Sequence, residues 1–240
     1  NSYILYDADI IAEPTVQLFD ADYHTKQDAQ QNNSSSSAVP GIGRARVIYF
    51  PLEAKTLVLK HYYRGGAVAS VSKDKYLGRN VVKSRAFREW RLLKKMLGLG
   101  LPVPVPVAAH MQKGWLSYRA DLITEKIENS ATLADIITEK ALPAEQWQRI
   151  GACIKLFHQN DIYHADLNAR NILLVISEAV LDTVYLIDFD NSSFRVTSAS
   201  WKMANLARLK RSLLKFKNNS AAHFAEADWS QLLEGYKSKR

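Results

Sequence analysis

The 240-residue chain has one cysteine, Cys153, so no internal disulfide can form, and no Cys/His cluster carries zinc-ligand spacing. Both absences fit a reducing compartment, and Cys153 is expected to serve as a buried apolar residue. Long apolar runs are missing too, and no stretch reaches the length needed to cross a bilayer. The first fourteen residues carry Asp7, Asp9 and Glu13, where a signal peptide would need a basic start and an apolar run. Any membrane contact is therefore expected to be peripheral. There is no initiator Met, so the numbering is expected to be offset from that of the gene. Acidic residues are in deficit: 32 Lys plus Arg stand against 24 Asp plus Glu, a formal net charge of +8. That excess favours acidic partners such as phosphorylated lipid, nucleic acid or nucleotide without choosing among them.

With 47% hydrophobic residues the chain can bury a core as one large domain or as two small lobes. Residues 24–38 (HTKQDAQQNNSSSSA) hold almost nothing to bury and read as a mobile loop ahead of the first strand. The apolar, β-branched runs Val47 to Phe50 and Thr56 to Leu59 predict an antiparallel hairpin. A helix is predicted over about Ser84 to Leu97. The Pro-rich LPVPVPVAA from Leu101 cannot continue it, and Trp115 to Ile127 reads as strands leading into a connector. Beyond the connector, Thr132 can cap a short helix, and Pro143 suits the first turn of another in which Trp147, Ile150, Ile154 and Phe157 share a face. Short strands are expected at Ile172 to Ile176 and Val184 to Ile187. A last helical region places Leu206, Leu209, Leu213 and Phe216 on one face. A strand-rich half thus precedes a helix-rich half: an α+β chain with an N-terminal lobe, 1–123, holding an antiparallel sheet and one helix, and a mainly helical C-terminal lobe, 124–240, with an abbreviated end.

The chemistry concentrates in YHADLNARNILL (Tyr163 to Leu174) and YLIDFD (Tyr185 to Asp190). These segments resemble the H-x-D-L-x-x-x-N loop and D-F-x element of the protein-kinase-like superfamily, which implies a bilobal kinase fold using ATP and Mg²⁺. Phosphoryl transfer needs two oxygen ligands for the metal, here Asn171 and Asp188, and a separate carboxylate, Asp166, to orient the attacking hydroxyl and accept its proton. The alternative, that Asp166 and Asp188 are surface turn residues, fits poorly beside apolar strands. His164 is assigned a structural role in holding the loop.

Lys60 closes a V-L-K strand where the superfamily places the cation for the α- and β-phosphates. Its expected partner is Glu89, which falls on the same helical stripe as Leu92, Leu93 and Met96 and would need a partner once turned inward. The alternative is a local Glu89–Arg85 pair on a solvated face. Gly41 and Gly43 are candidates for a phosphate-covering loop, although Arg46 stands where a third glycine would be. In the connector, backbone groups of Glu125 and Ile127 are candidates for the adenine edge.

From about Arg44 onward the chain resembles bacterial 3-deoxy-D-manno-octulosonic acid (Kdo) kinases, relatives of the lipopolysaccharide core heptose kinases. The segments carrying the resemblance are LKHYYRGG (Leu59 to Gly66), LPVPVPVAA, LITEKIEN (Leu122 to Asn129), HADLNARNILL, LIDFD and WKMANLARLKRSLLK (Trp201 to Lys215). The resemblance implies transfer of the ATP γ-phosphate to the 4-hydroxyl of Kdo on a lipid A precursor, at the cytoplasmic face of the inner membrane, with neither nucleic acid nor a protein substrate as partner. Departures from protein kinases point the same way. Ala165 replaces the Arg of H-R-D, Asn168 the Lys often found two residues after the catalytic Asp, and Asp190 the Gly of D-F-G. Fifty residues follow Asp190 and contain no A-P-E element.

Arg64 and Tyr63, just past the Lys60 strand, are the candidates for gripping the acidic sugar. The basic segment Lys73, Lys75, Arg79, Lys83 and Arg85 is read as resting on anionic lipid or as a solvated loop. Lys202, Arg208, Lys210, Arg211 and Lys215 are read as the wet face of a packed helix. Other readings are a heptose kinase, an aminoglycoside- or choline-type kinase, and a pseudokinase scaffold, which would be expected to lack one of Lys60, Asp166, Asn171 or Asp188.

Overall fold

The structure, a computed structural model, describes residues 1–25, 46–62, 76–77, 80–115, 117–177, 180–220 and 222–238. The chain divides into two compact units, Asn1–Lys95 with Pro104–Lys126, and Met96–Val103 with Ile127–Arg240. Gly41, Gly43, Tyr63, Arg64, Lys73, Lys75 and Arg79 lie outside the described residues.

The first unit is an antiparallel sheet. Its strands are β1 (Ser2–Tyr6), β2 (Arg46–Leu52), β3 (Lys55–His61), β4 (Tyr76–Leu77), β5 (Pro106–Lys113) and β6 (Ser117–Glu125), ordered β1-β5-β6-β3-β2 with β4 also on β6. The β2–β3 hairpin pairs Tyr49 with Val58, and Pro51 is tolerated because β2 is an edge strand. Two strands differ from the sequence reading. The first strand is Ser2–Tyr6, well before the polar loop, and it is recruited by pairing with β5. β5 itself begins on a proline, a position that costs no ladder hydrogen bond. Phe19, in a 3-10 turn (Val16–Phe19), packs with Ile48, Phe50, Leu57, Leu59, Val107, Ala108 and Ile123 to form a core on one face of the sheet. His24, expected to open the mobile loop, is instead buried: it stacks on Phe50 at 3.8 Å, and its Nε2 lies 2.8 Å from the Leu18 carbonyl oxygen. Helix α1 (Arg85–Gly98) buries Glu89, Leu93 and Met96 of the expected stripe together with Ala86 and Phe87, while Leu92 is only half-buried.

The second unit contains β7 (Ser130–Thr132), α2 (Leu133–Glu139), α3 (Ala144–Gln159), β8 (Ile162–Tyr163), β9 (Ile172–Ser177), β10 (Val180–Leu186), β11 (Ser193–Phe194), α4 (Ala199–Ser220) and α5 (Glu226–Lys237). The Thr132 hydroxyl accepts from the Asp135 N–H at 3.1 Å and starts α2 as expected. Pro143 sits at the N-cap of α3, one residue outside the expected first turn. Trp147, Ile150, Ile154 and Phe157 are buried along α3, and Leu206, Leu209 and Leu213 along α4, with Phe216 partly exposed at the end of that stripe. Helices α3 and α5 cross at two glycines. A Cβ on Gly151 would fall 1.9 Å from the Leu232 carbonyl oxygen, and one on Gly235 1.9 Å from that of Gln148, so the backbones touch only because neither carries a side chain. The strands predicted near 172 and 184 pair as a β9–β10 hairpin, with β7 on the other side of β9. Cys153 is half-buried in α3, where burial pushes its thiol up to about 12 and Sγ meets the Val184 carbonyl.

Candidate active site

In the first unit, β3 presents residues alternately to two faces. Leu57 and Leu59 enter the Phe19 core, so Lys60 points the other way. There its Nζ lies 3.0 and 3.1 Å from the two carboxylate oxygens of Glu89, which is only 4% exposed. The strand and helix thus bring together the two residues that the sequence paired. Spacing gives no warning of the third member: the Tyr62 hydroxyl donates to Glu89 Oε2, and Lys60 Nζ stands 4.7 Å from the centre of the Tyr62 ring. Two donors therefore face one buried carboxylate, which supplies the partner a buried charge requires. Tyr62 and His61, on either side of the strand's end, are committed within this unit. Tyr62 is buried, while His61 Nδ1 bonds Asp121, whose other oxygen lies 3.1 Å from His110 Nδ1. Burial opposes the charge on Asp121, but the hydrogen bonds to His110 and His61 outweigh it and hold its carboxyl below the usual carboxylate range.

Arg85 lies over the Tyr76 ring at 4.6 Å, which packs its guanidinium against an aromatic face of the same unit. The N–H groups of Glu125 and Lys126 are used by the carbonyls of Val105 and Thr56, both at 2.9 Å. Any contact from Glu125 to an adenine edge must come through its carbonyl.

In the second unit, the loop between β8 and β9 is built around His164, which is buried. Its Nε2 lies 3.0 Å from the Ile187 carbonyl oxygen, and its Nδ1 accepts the Asp166 N–H at 3.2 Å. Both bonds are met only by an imidazole with its proton on Nε2. The ring thereby ties the loop to the backbone just before Asp188. Asn171 makes a second tie: its Nδ2 donates to the Asp166 carbonyl at 2.9 Å, and its own carbonyl accepts the Ile187 N–H at 3.0 Å. The loop brings Asp166 and Asn171 to the segment carrying Asp188, whose φ of +61° is left-handed, a strained conformation for a non-glycine residue. The Asp166 carboxylate remains outside this buried frame, 58% exposed, with Asn168 Nδ2 3.1 Å from Oδ2 and Arg208 Nη1 3.5 Å from Oδ1.

Helix α4 braces the loop from outside its sequence. Buried Asn205 donates Nδ2 to the His164 carbonyl at 2.9 Å and accepts the His164 N–H at 3.2 Å, and the Ser212 hydroxyl accepts the Ala169 N–H at 3.2 Å. His158 on α3 completes the network, with Nε2 3.3 Å from Asn205 Oδ1 and Nδ1 2.8 Å from the Tyr236 hydroxyl. Burial drives the His158 pKa down to about 4, so it is held neutral. None of these braces was among the sequence candidates. Asn205 could have been found as Glu89 was, because it sits four residues from both Trp201 and Leu209 on a buried stripe. Of the other basic side chains of α4, Lys202 stands 3.9 Å from Asp161 and Lys210 2.5 Å from Glu226.

Residues 32–236 match the family model described as the lipopolysaccharide kinase (Kdo/WaaP) family. The chain belongs to this family. As a member it is an ATP-dependent kinase. Curated relatives include 3-deoxy-D-manno-octulosonic acid kinases from Haemophilus influenzae, 36% identical with 98% of this chain and 96% of the relative covered, and from Vibrio vulnificus, 36% identical with 100% and 97% covered. The enzyme of that name from Mannheimia succiniciproducens is 43% identical over 75% of each chain. Among solved structures, WaaP in complex with acyl carrier protein superposes with a TM-score of 0.58 at 15% identity, covering 98% of this chain and 88% of that one. A Rio2 kinase–ADP/Mg²⁺–phosphoaspartate complex from Chaetomium thermophilum gives 0.53 at 16% identity, covering 91% and 67%. Both likenesses show that this Kdo/WaaP family member has a protein-kinase-like fold.

Proposed function

We propose that this kinase transfers the ATP γ-phosphate to the 4-hydroxyl of a Kdo sugar on a lipid A precursor, as a peripheral protein at the cytoplasmic face of the inner membrane. The observation that carries the chemistry is the β8–β9 loop: a buried His164–Asn171 frame presents one exposed carboxylate, Asp166, next to oxygen ligands. The acceptor is supported by the names of the relatives that align along nearly the whole chain. The basic balance of the chain suits an anionic lipid surface.

In this reading Asp166 accepts the proton of the attacking hydroxyl and aims its oxygen, and Lys60 steadies the α- and β-phosphates while Glu89 and Tyr62 hold the ammonium in one place. Asn171 and Asp188 would hold Mg²⁺, which supplies charge neutralisation between the phosphates when bound. The fit is chemical: both residues offer the hard oxygen donors that this ion prefers, and the bond from Asn171 Nδ2 to the backbone leaves its amide oxygen as the ligand. The carbonyl of Glu125 and the N–H of Ile127 serve the adenine edge, and Gly41 and Gly43 approach the phosphates. Arg64 and Tyr63 grip the acidic sugar.

The test follows labelled γ-phosphate from Mg-ATP onto a Kdo-bearing lipid A precursor, beside a heptose-bearing acceptor and a choline and aminoglycoside panel, with Asp166→Ala as control. Label on the Kdo lipid that vanishes in the variant is the expected result. Label only on another acceptor would move the substrate while keeping the site, and label nowhere would leave a nucleotide-binding scaffold.

A further inference from the structure

We infer that Arg208 is a catalytic residue of the transfer, neutralising charge on the moving phosphoryl group at the acceptor side of Asp166. This rests on the phosphotransfer reading above and adds a residue that the loop motif does not contain.

Three side chains on one side of α4 meet the loop in register. Asn205 bonds His164, Arg208 faces Asp166 and Ser212 bonds Ala169, so successive turns of the helix follow the loop from His164 to Ala169. Asn205 and Ser212 fix that alignment with hydrogen bonds, and Arg208 is delivered to Asp166 by the same face. The pair is not needed for the hold. At 3.5 Å, with the Arg208 side chain 44% and the Asp166 side chain 58% exposed, it contributes at most about 1 kcal/mol to stability. A guanidinium carries five N–H donors in a fixed fork, and an exposed one that spends a single edge on Asp166 has another to offer an anion.

Position and chemistry agree on which anion. The hydroxyl aimed by Asp166 attacks phosphorus, so the transferring group passes next to that carboxylate with negative charge spread over its three outer oxygens. A cation is wanted there, and the loop around Asp166 offers Ala165, Leu167 and Asn168. Arg170, the nearest basic residue in the loop, lies over the Phe216 ring at 5.2 Å. Arg208 stands where that cation is needed. In the step, the acceptor oxygen–phosphorus bond forms as the phosphorus–oxygen bond to ADP breaks. ADP leaves with the bonding pair, the hydroxyl proton passes to Asp166, and Arg208 keeps its own proton throughout.

The test compares wild type, Arg208→Ala and Arg208→Lys by steady-state transfer to the Kdo-bearing lipid, by thermal melting, and by calorimetric titration with Mg-ADP with and without aluminium fluoride as a mimic of the transferring phosphoryl group. Arg208→Ala is expected to lower kcat about 100-fold with the KM for ATP nearly unchanged, as for removal of a preorganised charge-stabilising donor. Its melting temperature should stay within a degree or so, the mark of an exposed ion pair. It should bind Mg-ADP normally but lose roughly tenfold or more in affinity for Mg-ADP–aluminium fluoride, with Arg208→Lys intermediate. Unchanged kcat, a loss confined to the KM of the lipid, or equal affinity of variant and wild type for the aluminium fluoride complex would each overturn the inference. Should wild type label no Kdo lipid, the acceptor reading falls, and the aluminium fluoride titration still decides the role of Arg208.

Discussion

Lys60 sits in a buried cluster, its Nζ shared with a carboxylate that is almost fully enclosed, whereas Asp166 stands exposed on a loop held by the buried His164, Asn171 and Asn205. In the first case the functional charge is itself part of the packed structure. In the second the charge is held at arm's length, and the rigidity comes from neutral groups behind it: His164, Asn171, Asn205 and His158. The difference fits the roles proposed for the two groups. A cation that only positions phosphates can keep a permanent partner, but a carboxylate that must take a proton from an incoming hydroxyl has to remain open to it. Replacing Asp166 should therefore cost chemistry without stability, while replacing the partners of Lys60 or the braces of the loop should cost both.

The sharpest test of that contrast is Asp166→Ala, expected to lower kcat about 1000-fold while leaving ATP affinity and melting temperature almost unchanged. An equal loss of ATP affinity, read by calorimetry, would break the division of roles between the two charges. Glu89→Ala comes next. It leaves the Lys60 ammonium and the Tyr62 hydroxyl facing a void, and denaturant unfolding should show about 3 kcal/mol of lost stability, the low end for breaking a buried pair because Lys60 retains some contact with water.

A smaller effect is expected from His158, and its sign is set by burial. Its folded pKa of about 4 lies below the ordinary value of 6.5, so between those values the unfolded chain binds the extra proton. The contribution is full above pH 6.5 and is lost as pH falls toward 4, on the order of 2–3 kcal/mol. Melting temperature against pH should show this loss in wild type and a flatter curve in His158→Gln. Asn205→Ala is the mildest, about 2 kcal/mol, because it orphans the buried N–H and C=O of His164. It should also lower kcat although it lies on a different element from Asp166. A stability loss with unchanged kcat would show that the loop does not depend on α4 for its working geometry.

The same two regions differ in how far the sequence discloses them. The loop proposed for catalysis was legible because Asp166, Asn171 and His164 lie within eight residues, and local spacing dictates what the backbone can bring together. The Lys60–Glu89 meeting was legible for another reason: a charge on an otherwise apolar helical stripe has to find a partner. The structure keeps that logic and adds Tyr62, whose hydroxyl gives no periodic signal. Asn205 obeys the rule that revealed Glu89, yet an uncharged amide on a stripe draws less notice than a carboxylate. Ser212 and Arg208 stand at the solvent-facing border of the same face of α4, where Ser and Arg are ordinary. Strand β1 was missed because its pairing with β5 joins segments about a hundred residues apart, and β5 was hidden behind the prolines that precede it.

The sequence by itself determined the β2–β3 hairpin, the main helices, the loop that carries Asp166 and the pairing of Lys60 with a buried Glu89, because each follows from periodicity or from spacing within one short segment. Only the tertiary structure decided which side chains brace the Asp166 loop. Residues forty or more positions apart meet by the packing of α3 and α4 against the loop, and no local preference encodes such a meeting.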